Sequence, residues 1–357
     1  MTMVWIFVLA GAFSASAQDM GAIDATVALA RNLLPADFLL AGLFLASCFV
    51  SISIGTSVGT VVTLVPIAAG LAPALGADLA LTVAVVTGGA FFGDNLSFIS
   101  DTTVVATRTQ ECRLDDKFKV NFRIVLPAAL LTLAFYTYLG FQNQAPAQAI
   151  PDYDLLKVMP YVAVLVMALC GMNVLFVLAI GNLLTGLVGL LDTDGFSVVS
   201  WFASMGKGIT SMGELIIISM IAGGLLELIR YNGGITYMMR AITRHVNGKR
   251  GAEFSIAALV GLANLCTANN TVAILSVGKL AKHIAERYGV DKRKSASVLD
   301  TVSCCVQGVL PYGAQLLMAA GLSGLSPVGI VPYLYYPMLV GLCTIASIAF
   351  RYPRKYS

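Results

Sequence analysis

Long apolar stretches make up most of this 357-residue sequence, and its charged residues lie mainly between them. Only 11% of the residues are charged, whereas a soluble domain carries about 25%. Because a helix of about 20 apolar residues crosses a bilayer, the sequence predicts an all-α polytopic membrane protein and excludes a water-soluble enzyme. The apolar stretches run at about 3–17, 38–75, 79–107, 122–141, 159–191, 213–229, 254–285, 295–320 and 329–350.

The first apolar stretch ends in Ala15-Ser16-Ala17, which resembles a signal-peptide cleavage site. A signal peptide carries basic residues before its apolar core, and Met1-Thr2-Met3 contains none. We therefore expect a retained transmembrane helix over 3–17.

Basic residues are concentrated in particular connections, and this orients the chain. Most of the 22 basic residues fall in segments 108–123, 230–250 and 279–294 and in the C-terminal tail, whereas the other connections are rich in Asp. Cytoplasmic loops of membrane proteins carry an excess of Lys and Arg. The pattern predicts a multi-pass protein of the bacterial inner membrane with a cytoplasmic C-terminus. The basic segments are topology signals in this interpretation, and no nucleic-acid partner is expected.

Some apolar stretches must return to the side of the membrane from which they start. Both flanks of 254–285 are basic, and its two arms, of about 13–14 residues, fall short of the ~20 that a crossing needs. We predict a re-entrant hairpin there, with its tip at 266–271. The acidic flanks of 38–75 predict a similar hairpin with its tip at 55–60. By the same parity, 159–191 forms two short helices.

The second half of the sequence repeats the element order of the first: helix, amphipathic connector, hairpin, then a helix interrupted by polar residues. Thr56 and Thr60 align with Thr267 and Thr271 at an offset of 211 residues, and other pairs align at 212 and 215. The connector 18–37 is acidic and its counterpart is basic, which predicts inverted-topology repeats around a site at the membrane midplane. The predicted units are a first repeat at 1–121, scaffold helices and a connector at 122–212, a second repeat at 213–320, and a final transmembrane helix with a cytoplasmic tail at 321–357.

Two apolar stretches are interrupted by polar residues, at 93–103 and 307–315. Unwound backbone at membrane depth is tolerated only where protein or a water-filled cavity covers it. Freed carbonyls and helix ends bind ions, and side-chain oxygens suit a hard cation such as Na⁺. Two breaks and two hairpin tips therefore predict the ion site of a transporter. The candidate ion- or proton-binding residues are Asp94, Asn95, Ser97, Asp101, Thr56, Ser57, Thr60, Asn269, Asn270, Thr271, Gln307, Tyr312 and Gln315.

Three acidic residues inside the apolar stretches are the main candidates for the exchange chemistry. Asp94 lies at the carboxyl end of its half-helix, where a carboxylate can bind either a proton or Na⁺. We hypothesise that it is the competing site, with Na⁺ held near Asp94, Asn95 and Thr56. Asp101 assists it, or only caps the half-helix that follows. Asp300 lies two turns before the second break and faces the same cavity or a helix neighbour.

The run Gly55-Thr56-Ser57-Val58-Gly59 fits the GxSxG pattern of serine hydrolases. The strand–turn–helix context of that motif is missing from the predicted helices, and both histidines, His245 and His283, lie in predicted cytoplasmic connections. The chain is therefore predicted not to be an enzyme, and no cofactor is expected beyond Na⁺ and H⁺ as transported ions.

Four motifs resemble the NhaC-type sodium/proton antiporter family: GTSVGT at 55–60, GGAFFGDNLSFISDTT at 88–103, CTANNT at 266–271 and VQGVLPYGAQ at 306–315. The resemblance implies the fold of the ion transporter superfamily, with scaffold helices, two opposed re-entrant hairpins and two broken helices, commonly in a homodimer. It also implies Na⁺/H⁺ exchange by alternating access. The family usually has further scaffold helices before the first helix of this chain. The residues that match its first break motif are Asp94, Asn95, Ser97, Ser100, Asp101 and Thr102.

Related sequences are also associated with malate/lactate exchange and with amino-acid transport, so Na⁺-coupled antiport of a small organic anion is the alternative. A site for an organic anion needs a cationic partner. No Lys or Arg lies within the predicted hydrophobic spans, which favours a plain cation, although half-helix N-termini could substitute for a basic side chain. A channel or a membrane receptor is a more distant alternative, because neither needs carboxylates in paired broken helices.

Overall fold

The computed structural model describes residues 2–142, 153–234, 237 and 248–356, and its regular elements there are all helical. The first eleven helices are α1 Thr2–Asp19, α2 Ala22–Leu33, α3 Ala36–Ile54, α4 Ser57–Leu75, α5 Leu79–Leu96, α6 Asp101–Gln110, α7 Leu114–Gln142, α8 Leu155–Leu169, α9 Val174–Asp192, α10 Val198–Ser211 and α11 Gly213–Tyr231. They are followed by α12 Gly248–Thr267, α13 Asn270–Tyr288, α14 Lys292–Val309, α15 Ala314–Ser323, the short α16 Pro327–Ile330, and α17 Tyr335–Ala349.

Much of this helical structure is apolar enough to lie in a membrane. Among the described residues, seven helices are long and apolar enough to cross a bilayer, or nine if each of two bent helix pairs is one crossing. Large apolar side chains such as Leu130, Phe176 and Ile221 are exposed on the outside of the helices, where lipid replaces water. The prediction of an all-α polytopic membrane protein is confirmed.

The two predicted hairpins are present, and their tips lie at Gly55–Thr56 and Ala268–Asn269. The arms of the second hairpin are longer than the predicted 13–14 residues, because α12 and α13 have 20 and 19 residues. The helices continue through the charged residues at the ends of the apolar segment, since Lys, Arg and Glu are good helix formers. Neither arm is among the seven helices that are apolar enough to cross.

Other boundaries differ from the sequence prediction. The predicted connector before residue 213 contains α10, which packs on α1 and joins α11 in an apolar run of 32 residues. Helix α7 begins at Leu114, so half of the predicted loop 108–123 is helical. His283 lies in α13 rather than in a connection, and His245 lies outside the described residues. Within 159–191, α8 and α9 are separate helices, as predicted.

The helices of the two halves recur with a constant spacing. Helices α4, α5 and α6 begin and end 213 residues before α13, α14 and α15, for example at Ser57 and Asn270. The sequence alignment at 211 to 215 was therefore off by up to two residues. Thr56 corresponds to Asn269 rather than Thr267 because equivalent tip positions carry different polar side chains. The counterpart of the connector α2 falls on residues outside the description.

The two broken helices, α5–α6 and α14–α15, run in opposite directions. The end of α6 lies beside the start of α14, where Ser295 Oγ donates to Gln110 Oε1 at 2.8 Å. The start of α5 lies beside the segment after α15, where the Tyr333 hydroxyl donates to Asp78 Oδ2 at 3.1 Å. In agreement, α15 packs on α4 and α5, whereas α6 packs on α13 and α14. The repeated segments are therefore inverted with respect to each other, and their charges separate, with Arg108 and Lys292 at one end.

Candidate functional site

A small cavity of about 90 Å³ lies where the two hairpin tips meet the two helix breaks. Four helices, α4, α6, α13 and α15, begin at its wall, and α5 and α14 end there. The sequence-predicted residues that line it are Thr56, Ser57, Asp94, Ser100, Asp101, Thr102, Asn269, Asn270, Thr271, Gln307 and Gln315. Residues from both halves of the chain thus share one site.

The carboxylate of Asp94 is buried in this cavity wall and is held by both hairpin tips. Ser57 donates to both of its oxygens, from the backbone N–H to Oδ1 at 3.1 Å and from the hydroxyl to Oδ2 at 2.6 Å. Asn270 Nδ2 approaches Oδ2 at 3.4 Å from the second tip. Because these tips come from opposite ends of the molecule and meet at one carboxylate, both end inside the protein. Asp94 lies in the last turn of α5, as predicted.

A chain of amide side chains extends from Asp94 to the second break. Gln315 Nε2 donates to Ser57 Oγ at 2.9 Å, and Gln307 Nε2 donates to Gln315 Oε1 at 2.9 Å. Gln307 Nε2 also donates to the Ala268 carbonyl at 3.0 Å, whereas its Oε1 has no partner among the described residues. An unpaired buried oxygen that lines a cavity is available to a cation or to water.

The repeat spacing shows that the site is built twice but charged once. Ser57 and Asn270 are equivalent residues, and both contact Asp94. Asp94 is itself equivalent to Gln307, so the second repeat has a neutral amide where the first has an acid. The site is therefore asymmetric in charge although its backbone is duplicated.

Asp101 lies at the cavity but does not hold the cap position that the sequence left open to it. Helix α6 begins at Asp101, and the residue at its N-cap position is Ser100. Asp101 is exposed, and as the first helical residue its carboxylate is favoured by the helix dipole. It adds a second acidic group at the mouth of the cavity.

Asp300 is not at the cavity wall, because a buried lysine pairs with it. Lys117 Nζ donates to Asp300 Oδ2 at 2.6 Å, and both side chains are essentially inaccessible. Lys117 also donates to Thr103 Oγ1 at 2.7 Å and to the Asn95 carbonyl at 3.0 Å. Asn121 Nδ2 donates to the same Asp300 oxygen at 2.6 Å. Of the two alternatives for Asp300, the helix neighbour is therefore the one found.

The sequence interpretation missed Lys117, and its statement that no Lys or Arg lies within the spans is wrong. Lys117 was counted with the basic loop 108–123, but the residue belongs to α7 and is fully buried. Its spacing from Asn121 and Ile124 places these three side chains on one face of a helix, which was the available signal. Lys294 is a second buried lysine, bonded to Ser347 and to the Tyr352 carbonyl.

Four further predicted residues lie outside the cavity and have structural partners. Ser97 Oγ donates to the Ile52 carbonyl at 2.7 Å, and Thr60 Oγ1 donates to the Thr56 carbonyl at 3.1 Å. The Tyr312 hydroxyl donates to the Leu265 carbonyl at 2.7 Å. Asn95 points its amide towards the Phe91 carbonyl at 2.9 Å, so it does not join Asp94 in the cavity wall.

Inverted, broken helices around a buried carboxylate define the class of secondary transporters, in which two related conformations expose one site in turn. Within that class, the chain belongs to the Na⁺/H⁺ antiporter family, which it matches over residues 1–141 and 150–353.

Individual relatives agree with the predicted resemblance to NhaC-type antiporters, which is confirmed. The chain is 24% identical over 353 residues to the Na⁺/H⁺ antiporter NhaC of Bacillus subtilis, covering 88% of this chain and 77% of that protein. It is 23% identical over 376 residues to the NhaC of Alkalihalophilus pseudofirmus, covering 96% and 80%. It is also 23% identical over 345 residues to the malate-2H⁺/Na⁺-lactate antiporter of Bacillus subtilis, covering 87% and 73%.

Proposed function

We propose that this protein exchanges Na⁺ for H⁺ across the bacterial inner membrane by alternating access, and that Asp94 carries both ions in turn. The observation that carries the proposal is the position of Asp94, a buried carboxylate held by the tips of two opposed hairpins. Membership of the Na⁺/H⁺ antiporter family supports the choice of ions.

The exchange follows from the energetics of a buried charge. A bare carboxylate inside a membrane protein is costly, so Asp94 is favoured when either H⁺ or Na⁺ neutralises it. The two inverted repeats then turn the neutralised site from one side of the membrane to the other. Because the two ions compete for one carboxylate, inward movement of one drives outward movement of the other. Oxygens of Thr56, Ser57 and Thr271 lie at the cavity and are suitable Na⁺ ligands.

The size of the cavity favours a cation over an organic substrate. Pockets for small organic ligands usually measure about 300–1,000 Å³, and this cavity measures about 90 Å³. The four helix N-termini at its wall could attract an anion, which is the one observation in favour of an organic-anion antiporter. Asp94 and Asp101 already place two carboxylates before them, and Lys117 is paired with Asp300.

The test is a proteoliposome assay in which a pH-sensitive dye inside the vesicles reports H⁺ movement after a jump in external Na⁺, Li⁺ or K⁺. Na⁺ is expected to change the internal pH in wild-type vesicles, and Asp94→Asn is expected to abolish the change. Asp194→Asn, an exposed acid far along the chain from the breaks, is the matched control. Retained exchange in Asp94→Asn would contradict the assignment, and exchange that needs added malate would identify the organic-anion alternative.

The orientation in the membrane follows from the distribution of charge. We infer that the end with Arg108, Lys249 and Lys292 faces the cytoplasm, which also places the C-terminus there. A fluorescent-protein fusion at the C-terminus, fluorescent only in the cytoplasm, tests the inference. The family resemblance further suggests a homodimer, and light scattering of the purified protein would measure its mass. The unit boundaries 1–121, 122–212, 213–320 and 321–357 remain predictions.

A further inference from the structure

The environment of the Lys117 ammonium group is that of a bound cation. Its three acceptors are a carboxylate oxygen of Asp300, a hydroxyl of Thr103 and the backbone carbonyl of Asn95, at 2.6, 2.7 and 3.0 Å. Carboxylate, hydroxyl and carbonyl oxygens are the ligands that hard cations take in proteins. The Asn95 carbonyl lies in the last turn of α5, at the negative end of the helix dipole.

Two further oxygens at this place are buried and unused. Asn121 Nδ2 donates to Asp300 and to the Asn95 carbonyl, so the Asn121 side chain adjoins the ammonium site. In the part of the chain that is described, neither Asn121 Oδ1 nor Asn95 Oδ1 has a hydrogen-bond partner. A buried amide oxygen without a partner is rare in proteins. The pair therefore offers more oxygen ligands than a lysine uses.

The repeat-equivalent place in the other half of the molecule holds no charge. At the spacing of 213 residues, Lys117 corresponds to Ile330 and Asp300 corresponds to Thr87. Ile330 and Thr87 are both fully buried. The duplicated backbone is thus packed with neutral side chains at this position once, so the fold does not in itself require an ion pair there.

The paired site lies next to the proposed exchange site. Asn270 Nδ2 is 3.4 Å from Asp94 Oδ2 and 3.9 Å from Cys304 Sγ, and the same sulfur is 3.9 Å from Asp300 Oδ1. Two side chains therefore connect the two carboxylates. A cation that reaches Asp94 is separated from Asp300 only by Asn270 and Cys304.

We propose that Asp300, Thr103 and the Asn95 carbonyl form a second cation site, and that the ammonium group of Lys117 is its built-in occupant. The resident charge excludes a second Na⁺, which leaves Asp94 as the one carboxylate at which Na⁺ and H⁺ exchange. This inference rests on the proposed function for the identity of the cation. Removal of the ammonium group is expected to open the second site to Na⁺.

The test measures Na⁺ bound per chain by equilibrium dialysis of the purified full-length protein with radioactive Na⁺. Wild type is expected to bind one Na⁺, and Lys117→Gln is expected to bind a second. The double variant Lys117→Gln/Asp300→Asn, in which both charges are removed, is the matched control and is expected to bind one. Equal binding by wild type and a folded Lys117→Gln would overturn the inference.

A second measurement keeps the inference testable if Lys117→Gln does not fold. With Lys117 in place, Asp94→Asn is expected to bind no Na⁺, because the remaining site is filled. If Asp94→Asn binds Na⁺ and Asp94→Asn/Asp300→Asn does not, Asp300 is open in the presence of Lys117 and the inference is wrong. Failure of the proposed function looks different, because wild type would then bind no Na⁺ while Lys117→Gln binds one that depends on Asp300.

Discussion

Asp94 and Gln307 lie 213 residues apart at equivalent positions of two inverted, broken helices, and both line one cavity. The pair shows where the duplicated backbone has become asymmetric in chemistry. One repeat supplies the carboxylate and the other supplies an amide, joined to it through Gln315 and Ser57. A site with one acid is neutralised by one monovalent cation, which suits competition between Na⁺ and H⁺.

The equivalence predicts that the acid can be moved. Asp94→Gln is expected to lower the rate of exchange on the order of 100-fold, since loss of a charged partner costs about 3 kcal/mol and 1.4 kcal/mol is tenfold. Asp94→Gln/Gln307→Asp restores one carboxylate to the cavity and is expected to recover part of the rate in the proteoliposome assay. Asp94→Gln/Gln307→Asn has no carboxylate and is the control. A swap variant as inactive as its control would mean that only the Asp94 position supports exchange.

Ser57 is expected to set the apparent affinity for Na⁺. Ser57→Ala removes the hydroxyl that donates to Asp94 at 2.6 Å, but leaves the backbone donor in place. A hydrogen bond to a charged group contributes about 1.5–3 kcal/mol, so the Na⁺ concentration for half-maximal exchange should rise about tenfold or more. Ser57→Thr keeps a hydroxyl and should stay near wild type. An unchanged Na⁺ dependence in Ser57→Ala would remove Ser57 from the site.

The pair of Lys117 and Asp300 predicts strong coupling in stability. Either single change, Lys117→Met or Asp300→Asn, leaves a charge or its polar partners unpaired in the interior, which typically costs about 3–5 kcal/mol. The double variant removes both charges and should lose much less than the sum of the two. Thermal unfolding of the detergent-purified proteins without Na⁺ measures this. Additive losses would show that the two side chains do not interact.

Gly93 is expected to tolerate no side chain. A Cβ at this position would overlap the backbone and side chain of Ser51 on α3, directly before Asp94. Gly93→Ala should lower the free energy of unfolding by about 1–3 kcal/mol, as overpacking does, and should slow exchange by displacing Asp94. Gly206→Ala, with open space around the added carbon, is the control and should unfold at or above the wild-type temperature. Similar unfolding temperatures for both variants would contradict the close packing of α3 and α5.

The predictions that succeeded rest on local features. Apolar length and the clusters of basic residues are properties of short segments, so spans, hairpins and breaks could be located without knowledge of packing. The tip residues Ser57 and Asn270 and the break residues Asp94 and Gln307 were found in this way, and they do line one cavity. The register of the repeat was less certain, because equivalent positions carry different residues.

The sequence by itself determined that the chain is a helical membrane protein, where its helices break, and which acid lies at the carboxyl end of a half-helix. Only the tertiary structure decided which polar groups meet. Lys117 and Asp300 are 183 residues apart, and their pairing depends on how α7 and α14 are rotated and crossed. Hydropathy does not encode that rotation. A lysine near a helix end looks like a cytoplasmic charge until the packing of a distant helix encloses it.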